Sequence, residues 1–186
     1  MWRLLYIPCI LVIAAAVFAR VWFGKKIVFG NGMQPCKVNV DRWSDLLGST
    51  VNLPTSEATA SELGRQLRKS ALVQWQARDP KAARAREGTK RFGLAVPPLT
   101  IAVVLFAFIA ARIPVSGAIA IFLAATAVSS ALGLLSIGAE LRAVATLVRT
   151  LRERRAFIRS DDEDAVISCA VAEVWLDALP PILRWI

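Results

Sequence analysis

The sequence contains no histidine among its 186 residues. That absence removes Ser-His-Asp catalysis, the HExxH zinc site and imidazole general-base chemistry. Cys9, Cys36 and Cys169 are odd in number and far apart, with no CxxC pair, so neither a disulfide framework nor a cysteine-built metal site is expected. Carboxylates are what remains. Glu173 and Asp177 stand at i and i+4 on one face of an apolar C-terminal segment, and Glu140 follows the longest apolar run. In a bilayer such carboxylates must face the bundle or carry a proton. An enzyme or transporter working through Glu140, Glu173 and Asp177 is therefore one functional class to weigh.

The elements that would position these groups are set by hydropathy. Hydrophobic residues make up 56% of the chain, mean hydropathy is +0.52 and the net charge is +9. Phe92–Ala111 is an uncharged run of 20 residues and Val115–Ile137 an uncharged run of 23, separated by Arg112, Ile113 and Pro114. At about 1.5 Å of rise per residue, each is long enough to cross a hydrocarbon core of about 30 Å. Residues 92–137 therefore predict a transmembrane helical hairpin. Pro97-Pro98 interrupts its first helix, which a membrane tolerates where neighbours satisfy the freed carbonyls. Ala125, Ser129 and Gly133 line its second helix at spacings of four, a stripe suited to close internal packing.

A third apolar segment, Leu4–Phe23, precedes it. Val17-Phe18-Ala19 resembles a signal-peptide cleavage site, but only Arg3 lies before the run while Arg20, Lys25 and Lys26 lie within or after it. The charge balance favours a retained anchor over 1–23 with the N-terminus outside and Trp22 at headgroup level. Residues 24–91 hold 13 Lys or Arg against six Asp or Glu, as expected of a cytoplasmic segment. Cys36–Val40 and Thr50–Leu53 alternate like short strands joined through Trp43–Gly48. A helix is expected from Pro54–Glu57 to about Ala77, with Leu63, Leu67, Ala71 and Val73 on its apolar side and Arg65, Arg68 and Lys69 on a basic side, stopping at Asp79-Pro80. Lys81, Arg84, Arg86, Lys90 and Arg91 then form a cationic stretch suited to anionic lipid headgroups, and topology explains this positive charge better than nucleic acid does.

Residues 138–186 begin with an amphipathic helix. Leu141, Val144, Val148 and Leu151 share a face that would lie along the cytoplasmic membrane surface. Ser160 suits an N-cap, followed by Asp161, Asp162, Glu163 and Asp164 at the positive end of a helix dipole. Ala165–Ile186 is either a fourth span or an interfacial helix, with Trp175 and Trp185 favouring insertion. The fold class is thus mainly α: an integral membrane bundle of three or four transmembrane helices carrying a small cytoplasmic α+β insertion.

Ser56–Leu67, SEATASELGRQL, resembles the zinc helix of the YugP-like family of neutral zinc metallopeptidases of membranes. Glu62, Leu63 and Gly64 match the centre of the HEVGH motif, while Ser61 and Arg65 stand where its histidines belong. Leu134–Ala145 resembles the family segment after the last hairpin helix, with Glu140 at the position of a possible third ligand. The resemblance implies a degenerate metal site at Ser61, Glu62, Arg65 and Glu140, with no metal, cofactor or catalytic residue, because an arginine repels a cation and serine is a poor zinc ligand. Glu62, Arg65 and Glu140 would then form an ion-pair cluster, or Glu62 and Arg65 a solvated helix face. It further implies a pseudo-peptidase of the bacterial cytoplasmic membrane, acting as scaffold or partner subunit to a membrane peptidase paralogue or another membrane protein. The alternative is an unrelated small membrane protein that binds anionic lipid or assists envelope assembly.

Overall fold

The computed structural model describes residues 2–47, 57–110 and 113–177. Helix α1 covers Trp2–Ala19, continues as a π-helical turn over Arg20–Lys25 and passes into α2, Lys26–Asn31. A short strand β1, Pro35–Lys37, is followed by α3, Val40–Leu47, and by β2, Glu57–Thr59. Four further helices follow among the described residues: α4, Ala60–Arg78; α5, Pro80–Ile109; α6, Val115–Glu153; and α7, Ser160–Leu176. Among the described residues, three stretches are long and apolar enough to cross a membrane, namely Tyr6–Asn31, Pro80–Ile109 and Val115–Glu153. The described residues are mainly helical with one two-stranded sheet, compatible with a membrane bundle.

The chain divides into two compact units. Unit 1 comprises Met1–Arg20, Ala85–Ile137 and Asp177–Ile186; unit 2 comprises Val21–Arg84 and Gly138–Leu176. In unit 1 the hairpin is held by small residues. Pro97 has no N–H to offer the Gly93 carbonyl one turn back, and the Ser129 hydroxyl of α6 donates to that oxygen instead. A Cβ at Gly93 would lie 3.5 Å from Leu132 Cβ, an ordinary contact. Thr126 and Ser130 return their hydroxyls to the carbonyls of Phe122 and Thr126, so both are satisfied within α6. The Tyr6 hydroxyl donates to the Ser116 carbonyl at 2.8 Å, tying α1 to the start of α6.

Unit 2 is organised around α7. Ala165, Val166, Cys169, Ala170, Ala172 and Val174 are buried, covered by α4, α2 and β1. The α4–α7 crossing is so close that a Cβ at Gly64 would stand 2.8 Å from the Ala170 nitrogen, which no side chain can occupy without displacement. Asp162, in the first turn of α7, accepts from the Lys37 backbone nitrogen at 3.1 Å and holds β1 in place. The end of α6 is closed by Arg155 in the left-handed region (φ 49°) and by Arg42 Nη1, which donates to the Arg154 and Arg155 carbonyls at 3.2 Å.

Several boundaries differ from expectation. The segment expected to join two strands is α3 instead: Asn39 accepts from Arg42 N and caps it, while Trp43 and Leu47, one turn apart, are buried. Thr50–Leu53 lies outside the described residues, and the partner of β1 is β2, antiparallel, with Pro35 opposite Thr59, Cys36 opposite Ala58 and Lys37 opposite Glu57. Pro54–Ser56 also lie outside, and α4 starts later than expected, at Thr59. The Thr59 hydroxyl accepts from Glu62 N, and the Glu62 carboxylate accepts from Thr59 N, a reciprocal capping box. The predicted stop at Asp79-Pro80 is found. Asp79 caps α5 by accepting from Ala82 N, and Pro80 opens it, so the cationic stretch is helical and continuous with the first hairpin helix. Gly138 does not interrupt α6. Val144, Leu147, Val148 and Leu151 are buried in unit 2 rather than laid on a membrane surface. Ser160 is the first residue of α7, not its cap. Of Ala165–Ile186, open between a fourth span and an interfacial helix, the described part belongs to α7, which is largely covered by protein. Residues 178–186 lie outside the described residues.

Candidate functional site

The residues suggested as a degenerate metal site fall on α4 and α6 within unit 2. Leu63, Gly64, Leu67 and Ala71 face the core, which sets the direction of every neighbour on α4. Glu62 is thereby turned to solvent, where its carboxylate receives the Thr59 nitrogen at 3.3 Å and the Thr59 hydroxyl at 3.1 Å. Ser61 accepts from Arg65 Nη2 at 3.2 Å. Arg65 Nε lies 3.4 Å from Glu173 Oε1 of α7. Glu140 meets neither Glu62 nor Arg65. Its Oε2 accepts from Arg68 at 2.9 Å (Nη2) and 3.2 Å (Nε), while Arg68 Nη1 donates to the Glu173 carbonyl at 2.9 Å.

The site is therefore a four-residue charge cluster: Arg65 and Arg68 from α4, Glu140 from α6 and Glu173 from α7. The Arg68 and Glu140 side chains are only 11% and 3% exposed, so this pair is largely desolvated and its geometry is decisive. A guanidinium that forks onto one carboxylate oxygen while reaching a carbonyl joins three helices through one side chain. Arg68 and Glu173 are the members that the helix-face reading missed. Arg68 follows Gly64 by four residues and precedes Ala71 by three, so its place beside the buried stripe was visible in the spacing.

As a zinc site the residues do not fit. Arg65 is a fixed cation, Glu62 is used in capping, and Glu140 is engaged by Arg68. Among the described residues, no group of three or more Cys, Asp or Glu could hold a metal ion. The carboxylates weighed for transport or acid–base chemistry are each met by a cation: Glu140 by Arg68, Glu173 by Arg65, and Asp177, in unit 1, by Lys90 at 3.2 Å.

Cys36 and Cys169 are fully buried free thiols of unit 2. Burial, then the nearby charge of Asp162 and the Cys169 thiol, push the Cys36 thiol up to about 11. Burial, then Glu173, also raises Cys169. Both are held in the unreactive protonated form, the opposite of a nucleophilic cysteine. An apolar slot of about 430 Å³ opens between α5 and α6 of unit 1, lined by Val104, Phe108, Ile119 and Phe122 among others. It has almost no polar surface with which to orient a substrate.

The suggested lipid-contact cations all lie on the first turns of α5. Lys81, Arg84 and Arg91 are exposed and share one side by helical period, with Arg91 paired to Glu87 at 2.6 Å. Arg86 and Lys90 fall on the other, half-buried side. No family model, no curated protein and no solved structure matches this chain.

Proposed function

We propose that this chain is a non-catalytic integral membrane protein, a pseudo-peptidase of the YugP-like kind, serving as a scaffold or partner subunit in the bacterial cytoplasmic membrane. The observation that carries the reading is the Arg68–Glu140 pair: the carboxylate aligned with a third metal ligand is buried and committed to a guanidinium. A packing role for the former site follows, because the same guanidinium also reaches α7. The N-terminus lies outside and residues 24–91 lie in the cytoplasm. Two features support this topology. Positive charge concentrates in 24–91, and unit 2 is assembled from Val21–Arg84 and Gly138–Leu176, which an even number of crossings by α5 and α6 returns to one side. The partner is a membrane peptidase paralogue or another membrane protein.

The test is zinc content and hydrolysis of a generic peptide by the purified full chain. Substoichiometric zinc and no hydrolysis are expected; one equivalent of zinc with turnover overturns the reading. Co-purification of a peptidase carrying an intact HExxH supports it. Labelling of a cysteine placed at Lys81 from outside intact cells would overturn the orientation. The second reading, binding of anionic lipid, draws on the exposed side formed by Lys81, Arg84 and Arg91.

A further inference from the structure

The end of the first apolar stretch carries two large apolar side chains with nothing over them. Phe29 is 88% exposed and Met33, in the turn that follows α2, is 84% exposed. Along the sequence before β1, the charge beside them is one-sided. Lys25 and Lys26 precede them, Lys37 follows, and no Asp or Glu occurs before Asp41. Lys26 Nζ sits 3.9 Å above the ring of Trp22, an exposed indole, and Phe23 stacks at 5.2 Å on Trp175. An exposed Trp beside Lys is the composition of a membrane–water boundary. Length places the rest. Tyr6–Asn31 has 26 residues, about 39 Å of helix against about 30 Å of hydrocarbon, leaving about 9 Å beyond the hydrocarbon core. Phe29 falls in that excess, at the depth of the headgroups, and Met33 lies in the turn just beyond it.

We infer that Trp22–Met33 is an interfacial anchor, in which Phe29 and Met33 enter the headgroup–acyl boundary of the bilayer while Lys25 and Lys26 meet anionic headgroups. The partner is a lipid surface because the patch pairs two apolar wedges with cations and has no acidic residue along its own segment, the complement of an anionic bilayer. The inference rests on the membrane-spanning reading of the first stretch and is independent of the pseudo-peptidase reading. It extends lipid contact to residues outside the α5 cations.

The test uses the full chain in vesicles of zwitterionic lipid, with and without phosphatidylglycerol. Environment-sensitive probes are attached singly to Phe29→Cys, Met33→Cys and Val73→Cys, each in a Cys9→Ser background in which the buried Cys36 and Cys169 stay unlabelled. Ala15→Cys in the same background, about half-way across the hydrocarbon, is the deep control. The expected result is quenching of the 29 and 33 probes by a shallow nitroxide lipid and shielding from iodide. The Val73 site, 66% exposed on α4, should show the reverse. Lys25→Gln and Lys26→Gln should each lower the inserted-to-free ratio about fivefold, and only with phosphatidylglycerol present. Probes at 29 and 33 as open to iodide as that at 73 overturn the anchor. Shielding from both quenchers overturns it too, and identifies a protein cover such as a second copy. If a deep nitroxide lipid fails to quench the probe at 15, the span and the anchor fall together, whereas quenching at 15 without shielding at 29 and 33 removes only the anchor.

Discussion

In unit 1 most buried positions are small or hydroxyl-bearing, among them Gly93, Pro97, Ala120, Ala125, Ser129 and Ser130, with Ile137 an exception, while Val103, Phe106, Ile109 and Leu135 are exposed. In unit 2 the buried positions include Trp43, Leu63, Leu67, Val144, Leu151 and Val166, with Glu62, Arg149 and Arg152 outside. The first pattern inverts the second. Small and hydroxyl-bearing residues inside, with large apolar ones outside, make sense where the solvent is as apolar as leucine and close backbone approach supplies the attraction. Large apolar residues inside and charge outside make sense in water. One chain follows both rules, and the change of rule falls within single helices: α6 runs from Val115 to Glu153 across it.

The comparison can be broken most forcefully at Glu140. In unit 2 a charge is tolerated inside only because it is paired. Glu140→Ala leaves Arg68 buried without its carboxylate and should cost about 3–5 kcal/mol in unfolding of unit 2. Arg68→Leu with Glu140→Leu should recover much of that loss, because removing both charges also removes their desolvation. Arg149→Ala, which breaks a pair exposed by 84% and 64%, should leave the denaturation midpoint unchanged and serves as the control. Equal losses for Glu140→Ala and Arg149→Ala would mean that the Arg68 cluster is not buried in the folded protein.

The two glycine contacts come next. Gly64→Ala places a methyl 2.8 Å from the Ala170 nitrogen and 2.9 Å from Cys169 Cβ, so α4 and α7 must separate, at about 1–3 kcal/mol. Gly93→Ala meets nothing nearer than 3.5 Å and should be near neutral. Trp43, buried against Phe157 at a centroid distance of 5.5 Å, gives a fluorescence reading of unit 2 for Gly64→Ala, and unfolding of the hairpin in detergent reads Gly93→Ala. A loss at Gly93 equal to that at Gly64 would erase the distinction between the two packings.

A pH dependence should also separate the units. With the Cys36 thiol raised from its ordinary 9.0 to about 11, the folded state keeps a proton that the unfolded chain releases first. The resulting stability is full below pH 9 and is lost as pH rises toward 11. Alkaline denaturation of unit 2 should begin in that window and be blunted by Cys36→Ala. An unchanged alkaline profile in that variant would remove the thiol as its cause.

The hairpin was legible because uncharged runs of 20 and 23 residues have few uses outside a bilayer. The boundary of α4 was less so. Thr55, Ser56 and Thr59 all offer capping hydroxyls, and only the placement of Glu62 three residues after Thr59 selects one of them. Strand β2 has three residues, too few to show alternation, and α3 hides in a segment whose burial depends on Phe157, far away in the sequence. The site was legible as residue types but not as partners. Charge pattern put Arg68 on a basic side with Arg65 and Lys69, yet a long cation beside an apolar stripe can turn either way. The choice was made by Glu140, 72 residues later.

Ser129 is the mildest and most specific probe of the difference between the units. In water a hydroxyl lost from a helix pair is replaced by solvent at little cost. In α5 the Gly93 carbonyl has no backbone donor, because residue 97 is proline, and Gly93 is buried against α6 away from solvent. Ser129→Ala should therefore destabilise the hairpin by about 0.6 kcal/mol, and Ser129→Thr should restore it if the added methyl fits. Pro97→Ala supplies the missing N–H, so Ser129→Ala should become silent in that background. A double-mutant cycle read by reversible unfolding in detergent micelles measures this coupling. A cycle that closes to zero would mean that the Ser129 hydroxyl and the proline gap are independent, and that the small residues of the hairpin act only by allowing close approach.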